Sequence, residues 1–350
     1  MSDFAQRIID WQKQHGRHDL PWQTKPNQAR NPYAIWVSEI MLQQTQVSAV
    51  IGYYQRFMTR FPTIQSLAAA EQEEVLQHWS GLGYYSRARN LHHAAQTIVD
   101  EFNGEFPQDF AAMQTLSGIG RSTAAAISAF AFHQVQTILD GNVKRVLARH
   151  FAIDGWPGTP KIEKAMWSLA ESLLPKADMV AYTQGLMDLG ATMCTRSKPA
   201  CGTCPLSTSC LAYAQQRVHL LPTPKPKKTS PQKFTTMLIL QYGQEVLLEK
   251  RPAKGIWGGL WSLPEIDMQT IATEAALARF DLRVETQEPM NVLQHAFSHY
   301  KLDILPQPLD VVSKPTSAPI PNTVWLSIED AIGAAIPTPV RKILISLRKA

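Results

Sequence analysis

The sequence predicts a multidomain protein: an all-α region over 1–218, a linker over 219–233 and an α+β region over 234–350. Three observations carry this. Residues 1–218 read as helical periods separated by short Gly- and Pro-containing turns. The stretch LPTPKPKKTSPQK (221–233) is rich in proline and lysine and has no apolar periodicity, the signature of an extended, semi-rigid spacer. Beyond it the texture changes, and FTTMLILQYGQEVLLEKRP reads as strand, Tyr-Gly-Gln turn and strand. A chain of 350 residues is long enough for two cores. With 45% hydrophobic and 18% charged residues it has the composition of a soluble globular protein. Its formal net charge of +5 is compatible with a nucleic-acid partner without requiring one. The N-terminus has no apolar signal-like core and no later run is long enough for a membrane helix, so a cytoplasmic, membrane-free protein is expected.

Residues 3–15 form an amphipathic helix with Phe4, Ile8 and Trp11 on one stripe and Gly16 as its stop. A turn containing LPWQ (Leu20–Gln23) follows. Asn31-Pro32 pairs a capping side chain with proline at the first helical position. The helix it opens, YAIWVSEIMLQQTQV, is apolar on nearly all sides, with Glu39 as its one acidic residue. Desolvation there raises a carboxyl pKa and equips it to donate a proton near neutral pH; the alternative is a glutamate that snorkels out or pairs with arginine. Gln43, Gln44 and Thr45 follow as a polar, surface-facing run.

In GLGYYSRARNL two glycines permit a tight turn, with Tyr84 and Tyr85 at its tip and Arg87 and Arg89 behind. An aromatic wedge beside cations suits a protein that extrudes a base, although a helix–helix turn with inward tyrosines has the same pattern. Leu116–Thr123 (LSGIGRST) joins two helical stretches, and Gly118 and Gly120 leave bare amides at a helix N-terminus, a ready anion site. Asp140, ahead of VKRVLARHF, reads as a helix N-cap.

Every cysteine of the chain lies in Cys194-x6-Cys201-x2-Cys204-x5-Cys210. Thiolates so grouped bind iron–sulfur clusters or tetrahedral zinc, and the spacing does not choose between them. Two disulfides are the remaining arrangement, one suited to small secreted domains.

This loop resembles the one that closes the catalytic domain of the endonuclease III-like DNA glycosylases. There it carries a [4Fe–4S] cluster, so the resemblance implies one [4Fe–4S] cluster held by Cys194, Cys201, Cys204 and Cys210. SEIMLQQTQV resembles the signature of adenine DNA glycosylases of the MutY type. That likeness implies a helix-hairpin-helix glycosylase core in which Glu39 is the general acid and Gln43, Gln44 and Thr45 contact the lesion pair. Tyr84 matches the family's intercalating position, and Gly118 and Gly120 match the hairpin that grips a DNA phosphate. The family often has proline where Ser117 stands, a small departure. Ser122 stands where bifunctional relatives carry a Schiff-base lysine, which implies a monofunctional enzyme using water. Asp140 matches the aspartate that stabilises the cationic sugar; N-capping is expected to lower its pKa and keep it ionised. Gln184, in YTQGLMDLGATMC, matches a residue that reads the extruded adenine.

In the second region Trp257–Pro264 (WGGLWSLP) resembles the Nudix fold, but the acidic box that holds magnesium is missing after it, so recognition is expected in place of pyrophosphate hydrolysis. Phe297, Ser298 and His299 resemble the loop by which MutY-type enzymes sense 8-oxoguanine. The implied activity is hydrolytic excision of adenine paired with 8-oxoguanine or guanine in double-stranded DNA, by a monomer placed on the bacterial nucleoid. A glycosylase for thymine–guanine mismatches or oxidised pyrimidines shares the helical core; Gln184, Ser122 and the C-terminal extension argue against it. A non-enzymatic damage sensor or redox-active DNA-binding module is the reading of a different class. No protein partner is indicated.

Overall fold

The computed structural model describes residues 2–25, 28–226, 230–297, 299–313 and 320–348. The chain divides into two compact units, the first made of residues 1–69 and 90–227 and the second of residues 70–89 and 228–350. Helices α1 (Ser2–His15), α2 (Pro32–Leu42), α3 (Val47–Arg60) and α4 (Ile64–Ala68) open the first unit, and α5 (Gln72–Trp79) lies in the second. Helix α6 (Ser86–Glu101) starts in the second unit and continues in the first. The first unit then adds α7 (Phe110–Thr115), α8 (Arg121–Phe132), α9 (Gly141–His150), α10 (Pro160–Ser172), α11 (Met179–Asp188) and α12 (Leu211–Ala214).

Asn31 caps α2 as its sequence promises, its Oδ1 accepting from the Ala34 N–H at 3.1 Å. Tyr33, Ile35, Trp36, Val37, Ile40 and Met41 are all buried, so α2 is surrounded by protein, with α3 and α8 among its neighbours. It stops earlier than the sequence suggests. Gln43 leaves helical geometry and Gln44 takes a left-handed φ of 57°, so 43–46 form a turn. The core beside it draws Ile8 from α1, Ala125 and Ala129 from α8, Val146 from α9 and Leu186 from α11. Helix α1 packs on α11 at Gly185, where a Cβ would sit 2.7 Å from Ile8 Cγ2; only glycine allows that approach.

The second unit holds one mixed sheet. Its strands are β1 (Gln232–Tyr242), β2 (Glu245–Lys250), β3 (Trp261–Ser262), β4 (Glu265–Ile266), β5 (Val284–Thr286), β6 (Leu293–Ala296), β7 (Lys301–Val311) and β8 (Thr323–Ser327). The central pair is parallel, β1 beside β7 from Gln232↔Lys301 to Gln241↔Asp310. β1 and β2 form the expected hairpin, with Gly243 at φ 60° in the turn. Both faces of β1 are buried along its middle, as in a sheet covered on two sides. Helix α13 (Ala272–Phe280) covers one face, with Ala276 and Phe280 packed on Leu238, Leu240, Leu247 and Leu309. Helices α14 (Ile328–Gly333) and α15 (Thr338–Leu347) follow β8.

Two features depart from a linear reading of the chain. Residues 70–89 join the second unit because their polar groups bond with it: Glu73 pairs with Lys250 at 2.7 Å and accepts from the Trp261 indole N–H. The spacer is also anchored at its start. Leu221 is 2% exposed and its carbonyl accepts from Arg149 Nε at 2.7 Å, while Thr223 Oγ1 accepts from the Gly155 N–H at 3.0 Å. A proline-rich composition limits helix formation, but it does not stop single residues from docking.

Candidate active site and cysteine loop

Helices α2 and α11, the turn at 18–24 and the segment around Phe130–Val135 enclose a cavity of about 490 Å³ in the first unit. Glu39 and Gln184 both line it, joined by Trp22, Arg30, Lys176 and Asp178. A volume of this size holds a small aromatic ligand. Burial, reinforced by the negative charge of Asp140, pushes the Glu39 carboxyl up to about 8, so at neutral pH it holds its proton.

Asp140 stands outside the cavity walls. It caps α9, Oδ1 accepting from the Val143 N–H at 2.8 Å. The cap lowers its pKa as expected, but burial outweighs the cap and the net shift is upward. The donors are local to the helix start, whereas the desolvation is imposed by the tertiary fold. Amides of Val143 and Asn142, with Arg145 and Lys144, still favour the Asp140 anion. The charge on Asp140 is one of the two influences that raise Glu39.

Gln184 is held in place. Its Nε2 donates to Asp188 Oδ1 at 2.8 Å, and Asp188, 1% exposed, accepts from the Arg17 backbone N–H at 2.8 Å and pairs with the Arg17 guanidinium at 2.6 Å. Losing Arg17 would strand a buried carboxylate, a cost of about 3–5 kcal/mol. Nothing local in the sequence marks Arg17, Asp188, Arg30 or Lys176 as site residues. Trp22 did have a signal, the LPWQ turn.

Residues 116–120 form the turn between α7 and α8. Gly118 has φ 83°, and a Cβ there would stand 3.0 Å from Asn90 Cβ. Its carbonyl accepts from Gln43 Nε2 at 3.3 Å, and the same amide reaches Thr123 Oγ1 at 3.2 Å, which ties the turn after α2 to the hairpin. Gly120 opens α8 without a side-chain cap. Ser122 Oγ accepts from the Leu139 N–H at 3.0 Å, bracing the strand-like approach to Asp140. Gln44 is exposed and Thr45 half-buried. Tyr84 projects, 49% exposed, whereas Tyr85 is buried; both belong to the second unit.

All four cysteines line one small cavity of about 30 Å³. Short 3₁₀ turns at Cys201–Thr203 and Ser207–Ser209 and a π-helical turn at Leu189–Met193 shape the loop. Burial raises the Cys201, Cys204 and Cys210 thiols, Cys204 to about 11, and neighbouring cysteines add to each shift. Among the described residues no group of three or more His, Cys, Asp or Glu is placed to hold a metal ion. Arg149, 3% exposed, donates to Cys194 Sγ at 3.4 Å and to the carbonyl of Thr195 at 2.7 Å. Arg145 bonds the Cys194 carbonyl at 2.7 Å.

In the second unit Phe297 stacks 5.3 Å from Trp257 and 4.7 Å from Tyr300, and His299 is exposed. Ser298 lies outside the described residues. Two carboxylates near α13 are engaged by arginines, Glu265 with Arg251 at 2.5 Å and Glu249 with Arg279 at 2.7 Å. No helix among the described residues is long and apolar enough to cross a membrane.

Residues 37–172 match the HhH-GPD superfamily of base excision DNA repair proteins, and residues 235–346 match the NUDIX domain. An adenine DNA glycosylase of Buchnera aphidicola (subspecies Baizongia pistaciae) is 38% identical over 349 residues, covering 99% of this chain and 97% of the relative. Among solved structures, a thermostable thymine-DNA glycosylase matches with a TM-score of 0.55 and 29% identity, over 61% of this chain and 95% of that one. Endonuclease III in a non-covalent complex with DNA matches with a TM-score of 0.51 and 22% identity, over 61% of this chain and 94% of that one; at that identity it supports the fold alone.

Proposed function

This chain belongs to the adenine DNA glycosylases, hydrolases of base excision repair, and from that membership we propose that it excises adenine paired with 8-oxoguanine or guanine. The observation that carries the mechanism is the proton-holding carboxyl of Glu39 in the wall of a cavity that it shares with Gln184.

Adenine leaves the duplex and enters the cavity, where the Gln184 amide, anchored through Asp188, reads its polar edge. Glu39 gives its proton to a ring nitrogen of the base. The glycosidic bond then breaks with its electron pair moving onto adenine, and positive charge develops on the sugar. The Asp140 carboxylate stabilises that charge, and water adds to the sugar carbon as its proton passes to solvent or to Asp140. Ser122, a hydroxyl already engaged with the Leu139 amide, has no amine for a Schiff base, so hydrolysis ends the reaction without strand cleavage. Tyr84 fills the gap in the stack, the amides at Gly118 and Gly120 hold a phosphate, and Gln43, Gln44 and Thr45 contact the pair. Phe297, Ser298 and His299 read the opposite 8-oxoguanine.

The cysteine loop suits a [4Fe–4S] cluster. Each thiolate of such a cluster binds its own iron, so four sulfurs around one cavity serve without converging on a single ion. Arg149 and Arg145 hold the Cys194 end of the loop for it. When bound, the cluster supplies a rigid support for the loop, whose exposed Arg196 and Lys198 face solvent and suit DNA docking. Iron and zinc analysis of the purified protein tests this; stoichiometric zinc without iron would refute it.

Single-turnover base release tests the activity, using duplexes with adenine opposite 8-oxoguanine, guanine or thymine. Release is expected to be fastest opposite 8-oxoguanine and absent opposite thymine. Release of a pyrimidine from control duplexes would move the substrate and refute the adenine reading.

A further inference from the structure

Residues 70–89 form one compact unit with residues 228–350, and within it the turn that carries Tyr84 has an unusual backbone. Tyr84 is left-handed at φ 50°, preceded by Gly81 at φ 102° and Gly83 at φ 78°. A left-handed aromatic residue at an exposed tip persists only where its surroundings impose it.

Part of the restraint is local. The Gly83 carbonyl accepts from Trp79 Nε1 at 3.2 Å and from Arg87 Nη2 at 3.1 Å, and the Arg87 guanidinium lies 5.5 Å from the Tyr84 ring centroid. The rest comes from the end of the chain. Arg341 Nη2 donates to Ser80 Oγ at 2.8 Å, and Ser80 Oγ donates to the Ile336 carbonyl at 2.9 Å. The same guanidinium bonds the carbonyls of Ile332 and Ala334 at the end of α14. Tyr85 continues the link, its hydroxyl accepting from the Gly81 N–H at 3.2 Å and reaching the Ile336 carbonyl at 3.5 Å. Gln77 adds a bond to the Gly333 carbonyl at 3.0 Å.

We propose that Arg341 is a positioning residue for base extrusion: through Ser80 it fixes the turn that presents Tyr84, so that residues near the end of the chain set the wedge. The assignment rests on the reading of Tyr84 as the wedge. Arg341 touches neither base nor sugar in this scheme and acts only through the turn.

A double-mutant cycle in the full-length protein tests it, with single-turnover release of adenine opposite 8-oxoguanine as the readout. Tyr84→Ala is expected to slow release about tenfold, the scale of one lost base–aromatic stack. Arg341→Leu and, independently, Ser80→Ala are expected to slow it about threefold in the wild-type background and less than about twofold in the Tyr84→Ala background. Arg341→Lys, which keeps a donor, restores part of the rate. Amide exchange across 81–85 is expected to quicken in Arg341→Leu and Ser80→Ala. Equal slowing in both backgrounds, or unchanged exchange, would overturn the role of Arg341 and leave the wedge standing. Full activity in Tyr84→Ala would instead remove the wedge reading, and the proposal with it. Should Arg341→Leu melt the protein, Ser80→Ala carries the same cycle with a smaller disturbance.

Discussion

Glu39 and Asp140 are carboxylates of one unit placed at opposite kinds of helical position. Glu39 lies inside α2, on a helix whose neighbouring side chains are apolar and buried. Asp140 lies just outside α9, where two backbone amides and two cations favour its charge. Burial raises both, but only Asp140 has groups that oppose the rise. A helix interior has already spent its amides on its own carbonyls; a helix start has amides to spare. The same chemical group thus meets unopposed desolvation in one place and desolvation opposed by amides and cations in the other.

The strongest way to break this contrast is to erase the proton. Glu39→Gln should lower the single-turnover rate by roughly 10²–10⁴-fold, the usual range for a general acid, while binding to mismatched DNA is retained. A variant that still releases adenine at the wild-type rate would end the assignment, and a sensor that binds without cleaving would become the better description.

Asp140→Asn separates charge from capping. Asparagine caps as well as aspartate, so thermal stability should change little, whereas base release should fall by roughly a hundredfold. Asp140→Ala should lose the rate and also about 1 kcal/mol of stability. If the Asn and Ala variants were equally destabilised, the cap would not be contributing in the way the Val143 bond indicates.

A third test is one of pH. Glu39 binds its proton more tightly in the folded protein, at about 8 against an ordinary 4.5, so stability falls as pH rises through that window. Glu39→Gln lacks this dependence. Its melting temperature relative to wild type should climb between about pH 4.5 and pH 8 and stay level below it. A level difference at every pH would show that Glu39 is not desolvated. For the same reason kcat/KM should decline as pH rises through about 8.

Much of this was legible in the sequence where a local rule applied. Asn31 and Asp140 announced their caps, Gly118 its turn, and the apolar surroundings of Glu39 its raised pKa. What stayed hidden depended on partners far along the chain. Asp140 looked ionised by its cap because its burial comes from other segments. Gln184 gave no hint that Arg17 and Asp188 hold it. Residues 70–89 carry no mark of membership in a unit completed by residues 228–350, since Glu73, Ser80 and Arg89 are ordinary surface types until Lys250, Ile336 and Gly258 meet them.

Arg149 bears on where the first unit can be cut. Its guanidinium gathers the carbonyls of Thr195, Arg196, Val218 and Leu221 around one buried charge. During synthesis the cation is made long before its last acceptor, so the segment around α9 can reach its final state only once the ribosome has passed residue 221. A shortened chain ending at 218 keeps every cysteine yet loses the Leu221 carbonyl that accepts from Arg149 Nε. A chain extended to 226 supplies both Leu221 and Thr223.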